Sequence, residues 1–179
     1  MTIGKEYVNV IKARFRSVKQ LGDKTIQQLT DEELHWSSND ASNSIAIIIK
    51  HMNGNMISRW TNFLTSDGEK PDRSRDEEFI DTLSSKIEIL DAWEKGWEVL
   101  FNGISALNNK DDLLKNITIR GENHSVIDAI ERQLAHYSYH VGQIVYIGKQ
   151  LKSNDWKSLS IPVGKSEEYL QEMLDKYDK

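Results

Sequence analysis

Four long segments of the chain repeat their apolar residues at three- and four-residue spacing, and that period constrains the fold more than any other feature. In the first segment Ile3, Tyr7, Val8, Ile11, Phe15, Val18 and Leu21 recur with Lys and Arg between them, which predicts an amphipathic helix from about Thr2 to about Leu29. Thr30-Asp-Glu-Glu33 begins a short helical turn capped by Thr30 or Asp31. The polar run Ser37-Ser-Asn-Asp-Ala-Ser-Asn43 reads as a loop, with Asn43 or Ser44 capping the next element. A second helix, about Ser44 to Thr65, is dense in Ile, Met, Trp and Phe around much of its circumference, as expected of an element packed against several others, and it ends at Asp67-Gly68. The segment Asp67-Gly-Glu-Lys-Pro-Asp-Arg-Ser-Arg75 has turn residues and charge without periodicity, so it reads as a surface connector that could also rim a site.

A third helix is marked by Phe79, Leu83, Ile87, Leu90, Trp93, Trp97, Leu100, Phe101 and Ile104 and ends near Asn108-Asn109. Ile117-Thr-Ile-Arg120 then alternates and is β-branched, and Gly121-Glu-Asn123 supplies a turn, which predicts a short hairpin-like link. Ser125 caps a fourth helix, about Val126 to Lys152. Beyond Ser153 come Pro162 and Gly164, then Ser166 as an N-cap and a short helix with Tyr169, Leu170, Met173, Leu174 and Tyr177 at apolar spacing, expected to pack on the rest. The expected fold is all-α: an antiparallel four-helix bundle with a longer crossover and a short C-terminal helix. One domain is expected over residues 1–179, with the bundle at about 1–152 and an extension at 153–179, because 179 residues with 38% hydrophobic content suit a single core.

A net charge of -5 opposes a phosphate-tracking role, so nucleic acid is not an expected partner. The longest apolar run is the five residues Ile45 to Ile49, far below the roughly 20 needed to cross a bilayer, and the N-terminus lacks the apolar core of a signal peptide. No membrane partner and a cytoplasmic location are therefore expected. The chain has no cysteine, which removes disulfides, thiolate metal sites and a Cys nucleophile. Any metal ion would have to be held by nitrogen and oxygen ligands.

The chemistry-bearing feature is His136 and His140, in Leu134-Ala-His-Tyr-Ser-Tyr-His-Val-Gly-Gln143. Residues i and i+4 share a helix face with Cβ atoms roughly 5–6 Å apart, so both rings can reach one ion. Five histidines produce such a pair by chance in roughly one sequence in ten, so context must carry the reading. His51 supplies it. With Ile47 and Ile48 before it and Asn55 one turn after, it projects from the buried side of the second helix and is the natural third ligand. Three neutral imidazoles suit Zn²⁺, Ni²⁺ or another divalent ion, Mn or Fe included, and leave positions open for water or substrate. His35 and His124 read as surface or capping residues. A di-iron bundle requires two Glu-x-x-His elements and only Glu32-Glu-Leu-His35 qualifies, while His136-Tyr-Ser-Tyr-His140 lacks the Glu of a zincin. Ala129, Arg132, Gln133 and Gln143 share the histidine face. Gln143 is a candidate to orient a ligand ring from outside the coordination shell, and Tyr137 and Tyr139 read as packing residues.

Ile49-Lys-His51-Met, the late His-x-x-x-His followed by Val141-Gly-Gln-Ile144, and the early Leu29-Thr-Asp-Glu-Glu-Leu34 together resemble the DinB/YfiT-like superfamily of bacterial metal-binding four-helix bundles, over about residues 1 to 152. The resemblance implies one divalent metal held by His51, His136 and His140. The segments Arg59-Trp-Thr-Asn-Phe-Leu64, Asp67-Gly-Glu-Lys70, Arg73-Ser-Arg-Asp-Glu-Glu-Phe79 and Ile161-Pro-Val-Gly-Lys-Ser166 look like a branch of unassigned chemistry. Better-understood relatives transfer or isomerise with low-molecular-weight thiols such as bacillithiol or mycothiol. The resemblance thus implies a metal-dependent transferase that presents an external thiolate to an electrophile, with Arg59, Arg73 and Arg75 binding carboxylates of thiol or substrate. A hydrolase with a metal-activated water and a metal-holding stress protein without turnover are the alternatives, and a homodimer is the expectation for quaternary state.

Overall fold

The computed structural model describes residues 2–107 and 112–177. Among them are six α-helices, three 3₁₀ turns and one two-stranded antiparallel sheet. Helix α1 (Ile3–Ile26) follows Thr2, whose hydroxyl accepts from the Lys5 backbone N–H, and it closes three residues earlier than its apolar period suggests because Gln27 takes the C-cap. Helix α2 (Asp31–His35) opens on a capping box: the Thr30 hydroxyl accepts from the Glu33 N–H, and the Glu33 carboxylate accepts from the Thr30 N–H at 2.7 Å.

Helix α3 (Ile45–Trp60) starts at Ser44, whose hydroxyl accepts from Ile47 N–H. It stops short of the expected Thr65, and Asn62 takes a positive φ of 50° just beyond it. Helix α4 (Lys86–Ser105) is capped by Ser85 and not by the region of Phe79. Phe79 instead closes a separate 3₁₀ turn, Asp76–Phe79, so the apolar spacing from Phe79 to Ile87 spans two elements. The end expected near Asn108-Asn109 lies outside the described residues. Helix α5 (Val126–Lys152), capped by Ser125, has the bounds expected of it.

The chain is predominantly helical, but an all-α description needs correction. Strands β1 (Asn116–Ile119) and β2 (Glu122–Ser125) pair in register from Asn116 with Ser125 to Ile119 with Glu122. Their two-residue link, Arg120-Gly121, has φ values of 57° and 75°, the mirror-image turn whose twist matches the strands. Ile117 and Ile119 point into the core from β1 and tie the hairpin to the helices. Helix α3 packs against α4 and α5, and α1 packs against α5 and α4. Between them Phe15, Ile49, Met52, Met56, Trp93, Trp97, Leu100, Tyr137 and Ile144 are sealed from water.

The C-terminal helix α6 (Ser166–Tyr177) does not pack as expected: none of its residues is buried, and Tyr169, Leu170, Leu174 and Tyr177 face solvent. Its apolar stripe is narrow and interleaved with Glu167, Glu168, Glu172 and Asp175, so docking would remove little apolar area from water while desolvating carboxylates. No described helix is long and apolar enough to cross a membrane.

Candidate metal centre

Two helices bring the three histidines together. On α5 the i, i+4 spacing stacks His136 and His140 on one face, and α3 presents His51 opposite them. His136 Nε2 lies 3.4 Å from His51 Nε2 and 3.1 Å from His140 Nε2. One ligand atom from each of the three falls within 4.8 Å of the others. Nitrogens bound to one tetrahedral ion at roughly 2.0–2.1 Å stand about 3.3 Å apart, so the measured spacing suits a shared ion.

The donor chemistry suits one as well. A carboxylate accepts only, so the 2.9 Å contact between His51 Nδ1 and Glu78 Oε2 requires the His51 proton on Nδ1. His140 Nδ1 likewise donates to Gln143 Oε1 at 2.8 Å, and Gln143 Nε2 donates to the Tyr139 hydroxyl at 3.2 Å, which fixes the amide orientation. Both Nε2 lone pairs are thereby left for a cation. Burial, then the nearby His140, His51, Arg59 and Arg73, push the His136 pKa down to about 3, and burial lowers His140 too, so both rings are neutral at pH 7.

The rest of the site is not helical. Glu78 is buried at 6% exposure and comes from the 3₁₀ turn Asp76–Phe79. Arg73 grips it through a two-pronged fork, Nε to Oε1 at 2.7 Å and a terminal nitrogen to Oε2 at 2.8 Å. Burial acting alone would raise the Glu78 carboxyl, yet the hydrogen bonds from His51 and Arg73 hold it below the usual carboxylate range. This close approach needs Gly54: a Cβ there would meet Glu78 Oε1 at 2.2 Å. The Phe79 ring stacks on His51 with centroids 4.8 Å apart, closing the imidazole from the other side.

A second carboxylate, Glu69, accepts from Arg59 at 3.1 Å, Arg73 at 3.2 Å and Arg120 at 2.9 Å. Arg59 also donates to the Gly68 carbonyl, which the Ser58 hydroxyl shares at 2.8 Å. Asp67 accepts from the backbone N–H groups of Glu69 (2.7 Å), Arg120 (2.8 Å) and Gly121 (2.8 Å), fastening the hairpin turn to this loop. The segment read as a surface connector that could also rim a site is thus pinned by its own polar atoms and forms one wall of the site.

Of the arginines expected to bind substrate, Arg59 and Arg73 are engaged by Glu69 and Glu78, whereas Arg75 is half exposed, 4.0 Å from Asp76 and 5.2 Å over the Phe79 ring. Tyr137 is fully buried, donating to Asn55 Oδ1 at 2.9 Å and accepting from Trp60 Nε1 at 3.2 Å. Tyr139 does not pack as expected; it is 62% exposed and reaches Gln143. His35 pairs with Asp81 at 2.7 Å and His124, on β2, with Asp128 at 2.6 Å, and neither belongs to the three-histidine group. Sequence reasoning missed Glu78, Glu69 and Arg120. The only trace of Glu78 is its place in Asp76-Glu-Glu78, where nothing marks the one carboxylate that turns inward.

No curated protein and no solved structure matches the chain. A family described as "Protein of unknown function (DUF1572)", a DinB-like family, matches residues 2–165, nearly the whole length. The chain therefore belongs to the DUF1572 family.

Proposed function

We propose that the four long helices form a DinB-type four-helix bundle in which His51, His136 and His140 hold one divalent cation through Nε2, zinc or nickel before manganese or iron. In this reading the protein is a metal-dependent transferase acting on a low-molecular-weight thiol of the bacillithiol type. The observation that carries the reading is the set of Nε2 separations, 3.1 and 3.4 Å, with the opposite nitrogens of two rings occupied by Glu78 and Gln143. When bound, the ion supplies Lewis-acid chemistry, favouring the anionic form of a thiol or water at its open positions.

The chain's own residues do the rest. Glu78 keeps the His51 proton on Nδ1 and balances the charge of Arg73; Gln143 does the corresponding service for His140. Phe79 excludes water from the His51 ring. The thiol must come from outside, since the chain has no cysteine. Transfer is favoured over hydrolysis because Glu78, the carboxylate in contact with His51, accepts three hydrogen bonds from His51 and Arg73 and is held below the usual carboxylate range, which makes it a weak general base.

The test is metal analysis of untagged protein beside a His136→Ala/His140→Ala variant. Near-stoichiometric metal in the parent and background metal in the variant is the expected result; equal, negligible metal in both overturns the site. Parent and variant are then given bacillithiol or another small thiol with a bimane electrophile. Adduct formation only in the metal-loaded parent supports transfer, and equal rates in the two overturn it.

A further inference from the structure

A cavity of about 190 Å³ opens beside His51 and His136, and five arginines line it: Arg59, Arg73, Arg75, Arg120 and Arg132. Among the described residues no carboxylate lines it, and the three paired with these arginines, Glu69, Glu78 and, at 4.0 Å, Asp76, leave the cluster of five with an excess of positive charge. An arrangement of like charges converging on a small space is unfavourable unless an anion shares it.

The individual arginines divide into two groups. Arg59 and Arg73 are held in place by Glu69 and Glu78. Arg120 gives only its Nε to Glu69, and no described ion pair involves Arg132, whose guanidinium stands 3.5 Å from His124 Nε2. Arg75 has only the distant, exposed Asp76. Arg120, Arg132 and Arg75 therefore keep donors available on the rim, backed by two fixed cations.

One further observation points to an anionic ligand. Arg59 is buried at 5% exposure and lines this cavity, and its Nε, a donor, has no hydrogen-bond partner. Groups of this kind are rare in folded proteins and require a partner. Arg120 sits at the first position of the hairpin turn, where φ 57° is the conformation that turn demands. Asp67 fastens the Arg120 and Gly121 N–H groups and so fixes the turn that carries this side chain at the cavity.

We propose that this cavity is an oxyanion-binding subsite, taking a carboxylate or phosphate group of the substrate or thiol cosubstrate, with the exposed Arg120, Arg132 and Arg75 as its clamps. The subsite deepens the metal-centre reading, since it adjoins His51 and His136 and would hold the anionic end of a molecule whose reacting atom lies at the three histidines. The guanidinium fork matches the paired oxygens of either anion.

Full-length protein, dialysed against EDTA and then against chelator-free buffer of low ionic strength, is titrated with inorganic phosphate and, separately, with malonate, by calorimetry. Saturable one-site binding of at least one is expected, and which of the two binds distinguishes a phosphoryl from a carboxylate group. Arg120→Gln and Arg132→Gln should each weaken it about tenfold and the double variant should abolish it, while reloaded metal remains stoichiometric, which also certifies the fold. The His136→Ala/His140→Ala protein should lose metal and keep anion binding, so the two readings fail separately. Absence of binding by the parent for both anions, or unchanged binding in the double arginine variant, overturns the subsite.

Discussion

The two walls of the histidine site are built on different physical plans. One is helical: α3 and α5 carry His51, His136 and His140 at positions set by a 3.6-residue period, and the same two helices are joined by the buried hydrogen bonds of Tyr137 with Asn55 and Trp60. The other, from Asp67 to Phe79 with the Arg120-Gly121 turn, has little regular structure and is held by charge-assisted hydrogen bonds among Asp67, Glu69, Arg73 and Glu78. The first wall owes its geometry to burial and tolerates the loss of one polar contact. The second has no core of its own, so each ion pair it loses moves a functional group.

The largest expected effect follows from striking the contact between the walls. Glu78→Gln removes the charge that pairs with Arg73 and weakens the hold on His51 Nδ1; metal affinity should fall about 10–100-fold, as measured by competition with a chromophoric chelator. Gly54→Ala reaches the same contact from the helical side. Its Cβ displaces Glu78 Oε1, yet alanine is favoured over glycine in a helix interior by about 1 kcal/mol. Affinity should therefore drop without a matching loss of thermal stability. Parent-like affinity in both variants would show that the loop wall does not position His51.

A smaller effect is expected within the helical wall. Tyr137→Phe deletes a buried hydroxyl and leaves Asn55 Oδ1 and Trp60 Nε1 without it, for a loss of about 1–3 kcal/mol in urea unfolding. Metal affinity should stay within a factor of two or so, because the histidine backbones are fixed by many apolar contacts. A Tyr137→Phe protein that lost metal as severely as Glu78→Gln would erase the distinction between the walls.

This distinction also explains which parts of the molecule were legible in the sequence. The bounds of α5 and the convergence of His51 with His136 and His140 follow from apolar periodicity, since the face of a helix is a local property. Glu78 is not legible, because its inward turn depends on Gly54 and Arg73, which reach it from other parts of the fold. Arg120 reads in the sequence as the end of a strand before a turn at Gly121-Glu-Asn123, whereas the structure puts it in the turn; its relation to Glu69 is a contact across 51 positions. The period failed at Phe79, which continues the apolar pattern of α4 from a separate turn, and at α6, where an apolar stripe exists but nothing described covers it.

The smallest expected effect concerns the fastening of the loop wall to the hairpin. The backbone N–H groups of Glu69 and Gly121 hold the Asp67 carboxyl well below its ordinary range, with Arg120 adding a third. A carboxyl depressed in the folded state contributes stability that is complete above its unfolded value, about 3.9, and that is lost as pH falls toward the folded value. Asp67→Asn keeps one acceptor oxygen but turns an amide N–H₂ toward one of these donors. Because Asp67 is partly exposed, the loss at pH 7 should be only about 1 kcal/mol. The gap between parent and variant should stay constant from pH 7 to about pH 5 and narrow below about pH 4, as read from urea midpoints at each pH. A gap that widened in acid would mean that the turn is held by something other than this carboxylate.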